Sequence, residues 1–165
     1  MSSTELTRSF EVGEKVAYPS HGVGKIESKE ERNGKTYLKL HIDGEDSVVL
    51  LPESNADNLG LRHLATPEVI WDALDGLSDR TREVTADWKQ RLTENQNLMK
   101  EGTLSAVASV INVLYRRSKV KELPSIEKKL YDTALSALVD EVSSVLNKDQ
   151  EEVRRIIFSK LEKHA

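Results

Sequence analysis

Val23-Gly24-Lys25-Ile26-Glu27-Ser28-Lys29, then Asn33-Gly34, then Thr36-Tyr37-Leu38-Lys39-Leu40-His41-Ile42 decide how the first third of this chain folds. Both long runs alternate apolar and polar residues, the period of a half-buried strand. Asn-Gly between them is the strongest short hairpin signal in the chain. Working outward, Lys15-Val16-Ala17-Tyr18 reads as a strand ended by Pro19, with Ser20-His21-Gly22 as a turn. On the other side Asp43-Gly44-Glu45-Asp46 turns the chain, and Ser47-Val48-Val49-Leu50-Leu51 is a further strand stopped by Pro52. Four or five short strands in about 55 residues predict a small, strongly bent sheet of the SH3 or Tudor type.

The texture changes at Thr66-Pro67-Glu68, a sound helix opening. Ile70, Trp71, Leu74 and Leu77 repeat at helical spacing and predict an inward face. A polar joint at 78–83 leads to a second helix, which Gly102 closes. Leu104, Val107, Ala108, Ile111, Leu114 and Tyr115 mark a third, ending near Lys121. Pro124 starts a fourth, with Ile126, Leu130, Ala134, Leu138, Val142 and Val145 inward. Asn147 and Asp149 separate it from a last helix carrying Val153, Ile156, Ile157 and Leu161. The fold class is therefore α+β. A flexible N-terminus (1–9) precedes a Tudor-like (SH3-like) small β-barrel (10–66) and a compact all-α domain of about five helices (67–165).

Within the helical half, Thr85-Ala86-Asp87-Trp88-Lys89-Gln90-Arg91-Leu92 stands out. Thr85 can cap a helix start, and Asp87 suits the positive end of the helix dipole. Trp88, Leu92, Asn95 and Met99 fall near one face. On this pattern alone Trp88 is a core residue, since large aromatics at helical spacing usually are. The sharper reading is an aromatic wedge beside cations that hold phosphate.

The chain has 165 residues, 32% of them charged and 38% hydrophobic, enough for one or two small domains. It has no cysteine, which excludes disulfides and thiolate chemistry and fits a reducing cytoplasm. Neither a secretory leader nor a membrane span is legible, so a cytoplasmic protein is expected. The net charge of −4 excludes a wholesale basic coat. Residues 67–165 are near balance, with 16 Lys and Arg against 17 Asp and Glu. Arg116, Arg117, Lys119, Lys121, Lys128 and Lys129, however, meet only Glu122 and Glu127 in their stretch. That patch is either solvated surface or a phosphate contact.

His21, His41, His63 and His164 have no ligand-like spacing, so no metal or other cofactor is expected. There is no glycine-rich phosphate loop and no nucleophile elbow. The chain does not read as an enzyme. Nor does it carry a helix-turn-helix with a polar recognition helix. Two binding surfaces remain. Ser47–Leu51 is the candidate sheet edge, because Val48, Val49 and Leu50 are consecutive and one must face outward unless the helical domain covers it. The other is Trp88 with Lys89 and Arg91, joined by the Arg116–Lys129 cluster. Its cations would give affinity without sequence information, and its ring would stack where strands part.

The block from Phe10 to Gly24, FEVGEKVAYPSHGVG, resembles the opening of the CarD/CdnL family of bacterial transcription regulators. Val49-Leu50-Leu51-Pro52-Glu53-Ser54-Asn55 with Leu59-Gly60-Leu61-Arg62 is similar to the next family block. Asp87 to Arg91 through Asn95, and Val113 to Arg117, are similar to the helical half. The resemblance implies a Tudor-like domain that docks on the RNA polymerase β subunit through Arg32, Ser47, Val48, Val49, Leu50 and Pro52. It also implies a helical domain on promoter DNA at the upstream fork of the melted bubble. Trp88 would insert there, with Lys89, Arg91, Arg116, Arg117, Lys119, Lys128 and Lys129 on the backbone. The outcome would be a stabilised open complex, and a monomer is expected. Many members carry Lys or Arg where Thr93 stands, some have Arg at the Leu50 position, and relatives can be basic at Thr133. These departures imply weaker DNA contact, with docking supplying more of the affinity. The alternative is a protein–protein adaptor whose sheet binds polymerase or a repair factor without touching DNA.

Overall fold

Asn33 and Gly34 both adopt left-handed backbone, φ 53° and 78°, the pair of positive values a type I′ hairpin turn requires. In a computed structural model, which describes residues 10–18 and 21–163, this turn joins the two longest strands of the sheet. The expected flexible N-terminus, the Pro19 stop, Ser20 of the turn and His164 lie outside the described residues.

The strands are β1 (Lys15–Tyr18), β2 (Gly22–Arg32), β3 (Lys35–Ile42), β4 (Ser47–Pro52) and β5 (Arg62–His63). They form one antiparallel sheet in the order β4-β3-β2-β1-β5. The β2–β3 register shifts between Ile26 and Ser28, a bulge at Glu27. An unpaired extra residue bends its strand, which lets β2 serve β1 with one end and β3 along its length. Val16, Ile26, Leu38, Leu40, Ile42 and Leu51 face one side and close a core with Phe10, Ala56 and Leu61. Strand β5 has two residues and no alternation to announce it. A 3-10 turn, Glu53–Asn55, follows the edge strand β4.

Five helices follow: α1 (Pro67–Gly76), α2 (Trp88–Glu101), α3 (Leu104–Ser118), α4 (Ser125–Leu146) and α5 (Gln150–Glu162). Four starts are capped by a side-chain oxygen one residue before the helix: Thr66, Asp87, Thr103 and Asp149 accept from Val69, Gln90, Ala106 and Glu152 N–H. Gly102 and Asn147 end α2 and α4 in left-handed backbone. Helix α3 is buried over nearly its whole circumference and is the axis of the domain. Ile70, Leu74 and Leu77, Met99, Leu138 and Val142, and Val153, Ile157 and Leu161 pack around it. Each such buried Leu or Ile contributes roughly 1.5–3 kcal/mol.

Four expectations are corrected here. Trp71 is not inward: the buried face of α1 is Ile70, Ala73 and Leu74, and Trp71, about 100° further round the helix, is 39% exposed. Ile126 is exposed because Glu127 takes the inward position of α4's first turn. Asp87, not Thr85, caps α2, and the Thr85 hydroxyl donates instead to Glu94 Oε1 at 2.8 Å. Helix α3 ends at Ser118, ahead of Lys121.

Sheet and helices are joined through α4, which packs on β2. Buried Glu141 receives the Arg62 guanidinium in a fork, both N–H···O distances 2.8 Å, and the Ala65 N–H at 2.8 Å. Arg62 Nε also donates to the Gly102 carbonyl at 2.8 Å. Gly22, at φ 97°, lets the Asp140 carboxyl lie where a side chain would otherwise stand.

Candidate nucleic-acid interface and docking edge

Between α1 and α2 the chain runs through residues 77–87 without regular structure, and polar side chains of its neighbours fix its course. Asn112 Nδ2 donates to the Asp79 carbonyl at 2.6 Å and to the Gly76 and Leu77 carbonyls at 3.2 Å. Arg116 Nη1 donates to the Arg82 carbonyl at 2.8 Å and to Asn112 Oδ1 at 3.1 Å. Arg82 in turn reaches Ser109 Oγ at 2.7 Å and Asn95 Oδ1 at 3.2 Å. The Thr81 backbone and hydroxyl donate to Asp79 and hold its carboxyl below the usual range, helped by Arg116 and Arg80. The loop ends at Trp88, the first residue of α2, which is 39% exposed.

Trp88 therefore sits at the open end of the stripe predicted from spacing. Further along α2, Arg91, Asn95 and Met99 are buried, and the stripe is covered. Lys89 Nζ lies 5.9 Å from the Trp88 ring centroid, within cation–π reach. Thr93, which has no charge to offer a phosphate, donates its hydroxyl to the Lys89 carbonyl at 3.1 Å.

The expectation that Arg91 touches phosphate is corrected. Its side chain is 1% exposed and its head is fully engaged inside the protein. Nε and Nη2 donate to the two Glu127 carboxylate oxygens at 2.8 and 2.6 Å, and Nη1 donates to the Thr85 and Ala86 carbonyls at 2.7 and 3.2 Å. A guanidinium with those partners presents nothing to a ligand. Arg116 is also withdrawn in part, since Nη1 holds the loop, and burial with Arg80 and Arg82 nearby lowers its pKa.

The other cations stand outward. Lys119, Lys121, Lys128 and Lys129 are exposed and Arg117 is half-exposed. Lys119 Nζ lies 4.9 Å over the Tyr115 ring, and Lys128 pairs with Glu122 at 2.7 Å. Because Glu127 is neutralised inside by Arg91, it subtracts nothing from this surface. The hydrogen bonds also place the cluster. Arg91–Glu127 ties the start of α2 to the start of α4, and Arg116 ties the end of α3 to the α1–α2 loop. Trp88 and the basic stretch thus share one end of the helical domain. Nothing in the sequence singles out Arg82 or Asn112; Asn95 is legible only as a member of the α2 stripe, and Glu127 only as one of two acids in the basic stretch. The one further signal is the scarcity of apolar residues in α2, which forces polar groups onto its buried face.

At the sheet, β4 is an edge, paired on one side by β3 only. Val48 and Leu50 are exposed, beside Lys39 and His41 on β3, while Leu51 is buried; Ser47, Val49 and Pro52 are intermediate. The helical domain packs on β2, away from this edge. The Asp46 carboxylate hydrogen-bonded to His41 raises the pKa of that imidazole. Arg32 is at the hairpin tip, donating to Glu30 at 3.0 Å, past the end of β4 at Pro52. The remaining described histidines are occupied locally: His21 with Glu45, and His63 with Glu14. No helix among the described residues is long and apolar enough to cross a membrane.

Residues 72–158 match the family described as CarD, C-terminal domain, and residues 10–65 match the CarD-like/TRCF RID domain. A Bacillus subtilis (strain 168) protein named "Putative transcription factor YdeB" is similar, 28% identical over 153 residues, which cover 88% of this chain and 97% of that protein.

Proposed function

Because this chain belongs to the CarD/CdnL family, we propose that it is a non-enzymatic transcription regulator that joins RNA polymerase to promoter DNA. The β4 edge, with Val48 and Leu50 outward, docks on the polymerase β subunit by strand addition. On the helical domain Trp88 stacks at the upstream fork of the melted bubble. Lys89, Arg117, Lys119, Lys128 and Lys129 hold the backbone there. Stacking on an unpaired base favours the melted state over the duplex, so the open complex lives longer.

One observation supports this reading above the others. An indole is left 39% exposed on a turn that buried hydrogen bonds hold in place, next to cations. Trp88→Ala is therefore expected to leave thermal unfolding nearly unchanged and to shorten the open complex's lifetime. The expected effect is roughly 1–3 kcal/mol, the range for one base–aromatic contact. Trp71→Ala, equally exposed but flanked by Glu68, Asp72 and Asp75, is the comparison and should change neither quantity. A Trp88 variant that melts early yet opens promoters normally per folded molecule would return Trp88 to the core and leave the adaptor reading in place.

A further inference from the structure

We infer that Arg91 and Glu127 are positioning residues for Trp88, an inference that rests on the DNA-facing reading of that indole. The two form a fully buried ion pair, 1% and 0% exposed, 36 positions apart in sequence. Their charge–charge geometry is only half of the arrangement. Arg91 Nη1 reaches back to the Thr85 and Ala86 carbonyls, the two residues before the Asp87 cap, so one guanidinium ties the loop entering the helix to the helix itself. Trp88 lies between those two points, one turn before Arg91. Glu127 anchors the fork from α4's first turn, beside Lys128 and Lys129. One guanidinium therefore links the backbone just ahead of the indole to the start of the basic stretch.

Stability alone is a poor account of such a pair. Desolvating two charges costs as much as their attraction returns, and apolar pairs of similar volume commonly serve a core as well or better. What an apolar pair cannot do is supply directional donors to two loop carbonyls. Lysine cannot supply them either, because it is a point charge without the planar fork. The neighbouring Arg82, Asn112 and Arg116 fix the earlier part of the loop, 76–82, and do not reach residues 85 and 86. On the final approach to Trp88, Arg91 holds the Thr85 and Ala86 carbonyls, while the Thr85 hydroxyl is held by Glu94.

The test uses the full-length chain carrying Trp71→Phe, so that emission reports Trp88 alone. Arg91→Lys is expected to remain folded, to raise acrylamide quenching of Trp88 and to lower its anisotropy. It should also shorten the open complex's lifetime roughly tenfold, within the span of one stacking contact. In a Trp88→Ala background the same change should add little, since the two residues act through one event. Glu127→Asp, which keeps the charge and shortens the reach, should reproduce the pattern and serves if Arg91→Lys does not fold. Unchanged quenching and anisotropy would overturn the inference. So would a shortening of the lifetime that is just as large with Trp88 already removed, or a salt slope on duplex DNA that falls as it would without one phosphate neutralised. If Trp88→Ala itself leaves the lifetime untouched, the DNA-facing reading fails, and quenching and anisotropy alone decide whether Arg91 positions the indole.

Discussion

Arg116 and Lys119 lie within one turn at the end of α3, and their partners give them different roles. Arg116 holds the Arg82 carbonyl and Asn112. Lys119 rests over the Tyr115 ring with its ammonium in water. If the basic surface meets phosphate, Lys119→Glu should lower the slope of log affinity against log salt on any DNA sequence, by roughly one unit for each phosphate it no longer neutralises. Arg116→Lys should keep the slope and lower the melting temperature, because the loop loses its fork. An unchanged slope for Lys119→Glu would mark the patch as solvated surface. Asp140 gives a prediction of another kind. Burial, then Asp43, raises its pKa above the ordinary value, against Gln150 and Arg154, which favour the charge. His21, Glu45 and Asp132 line the same cleft. Since the folded value is the higher one, Asp140 contributes stability at pH below its ordinary value, and that contribution is lost as pH rises through the folded value. Asp140→Asn, which retains an acceptor for Gln150, should therefore melt higher than the parent at neutral pH. The difference should vanish as pH falls toward the ordinary aspartate range. An equal gain at both ends would remove the charge from the explanation.

Among the elements, β4 and α2 carry the two candidate surfaces and are not equally legible. The edge strand is readable because Val48, Val49 and Leu50 cannot all face inward on a period of two. The sheet order then leaves Val48 and Leu50 outside. Val48→Lys with Leu50→Lys should thus leave folding intact and weaken binding to a β-subunit fragment, since the charges fall on a face that polymerase would desolvate. Unchanged binding would move the docking site off this strand. Helix α2 misleads in one respect. Its stripe is visible, but periodicity assigns a face without saying how far along the helix that face is covered. Nor does a sequence reveal that Arg91 and Asn95, rather than Leu92, lie deepest. Trp71 is misread for a related reason. Next to Ile70, either residue could be inward, and the packing of Ala73 and Leu74 settles the choice. The hairpin turn, the Thr66 cap and the Gly102 stop are legible because each is local chemistry at one or two residues, whereas the α2 cap and the end of α3 are misplaced by two or three positions. The buried polar network is not legible, because the pairs that tie separate elements, Arg82–Ser109, Arg116–Arg82 and Arg91–Glu127, lie 27 to 36 positions apart.

At the scale of the molecule, the sheet and helices have separate apolar cores, and the joint between them combines apolar Ala17, Leu104, Val107 and Ala137 with a set of buried hydrogen bonds. Arg62, Glu141, the Ala65 N–H and the Gly102 carbonyl form one connected set, with Glu141 buried beneath it. If one end docks on polymerase and the other on the fork, this joint fixes the span between them. Docking then raises the effective concentration of Trp88 at the bubble, and a loose joint would dilute it. Glu141→Ala takes the carboxylate from the Arg62 head, which keeps the Gly102 and His63 carbonyls, and leaves the Ala65 N–H without its acceptor. The cost should be about 3 kcal/mol, the low end for a broken buried pair, because Arg62 keeps some contact with water. That is comparable to one buried leucine, so each core should survive while their coupling weakens. The expected result is unfolding that separates into two transitions. Binding to a β-subunit fragment and to fork DNA, measured one at a time, should change little, while the open complex's lifetime falls. A lifetime that holds despite two separated transitions would mean the two surfaces act independently. A single transition at lower temperature, with all three functions lost together, would mean that Glu141 supports one cooperative fold.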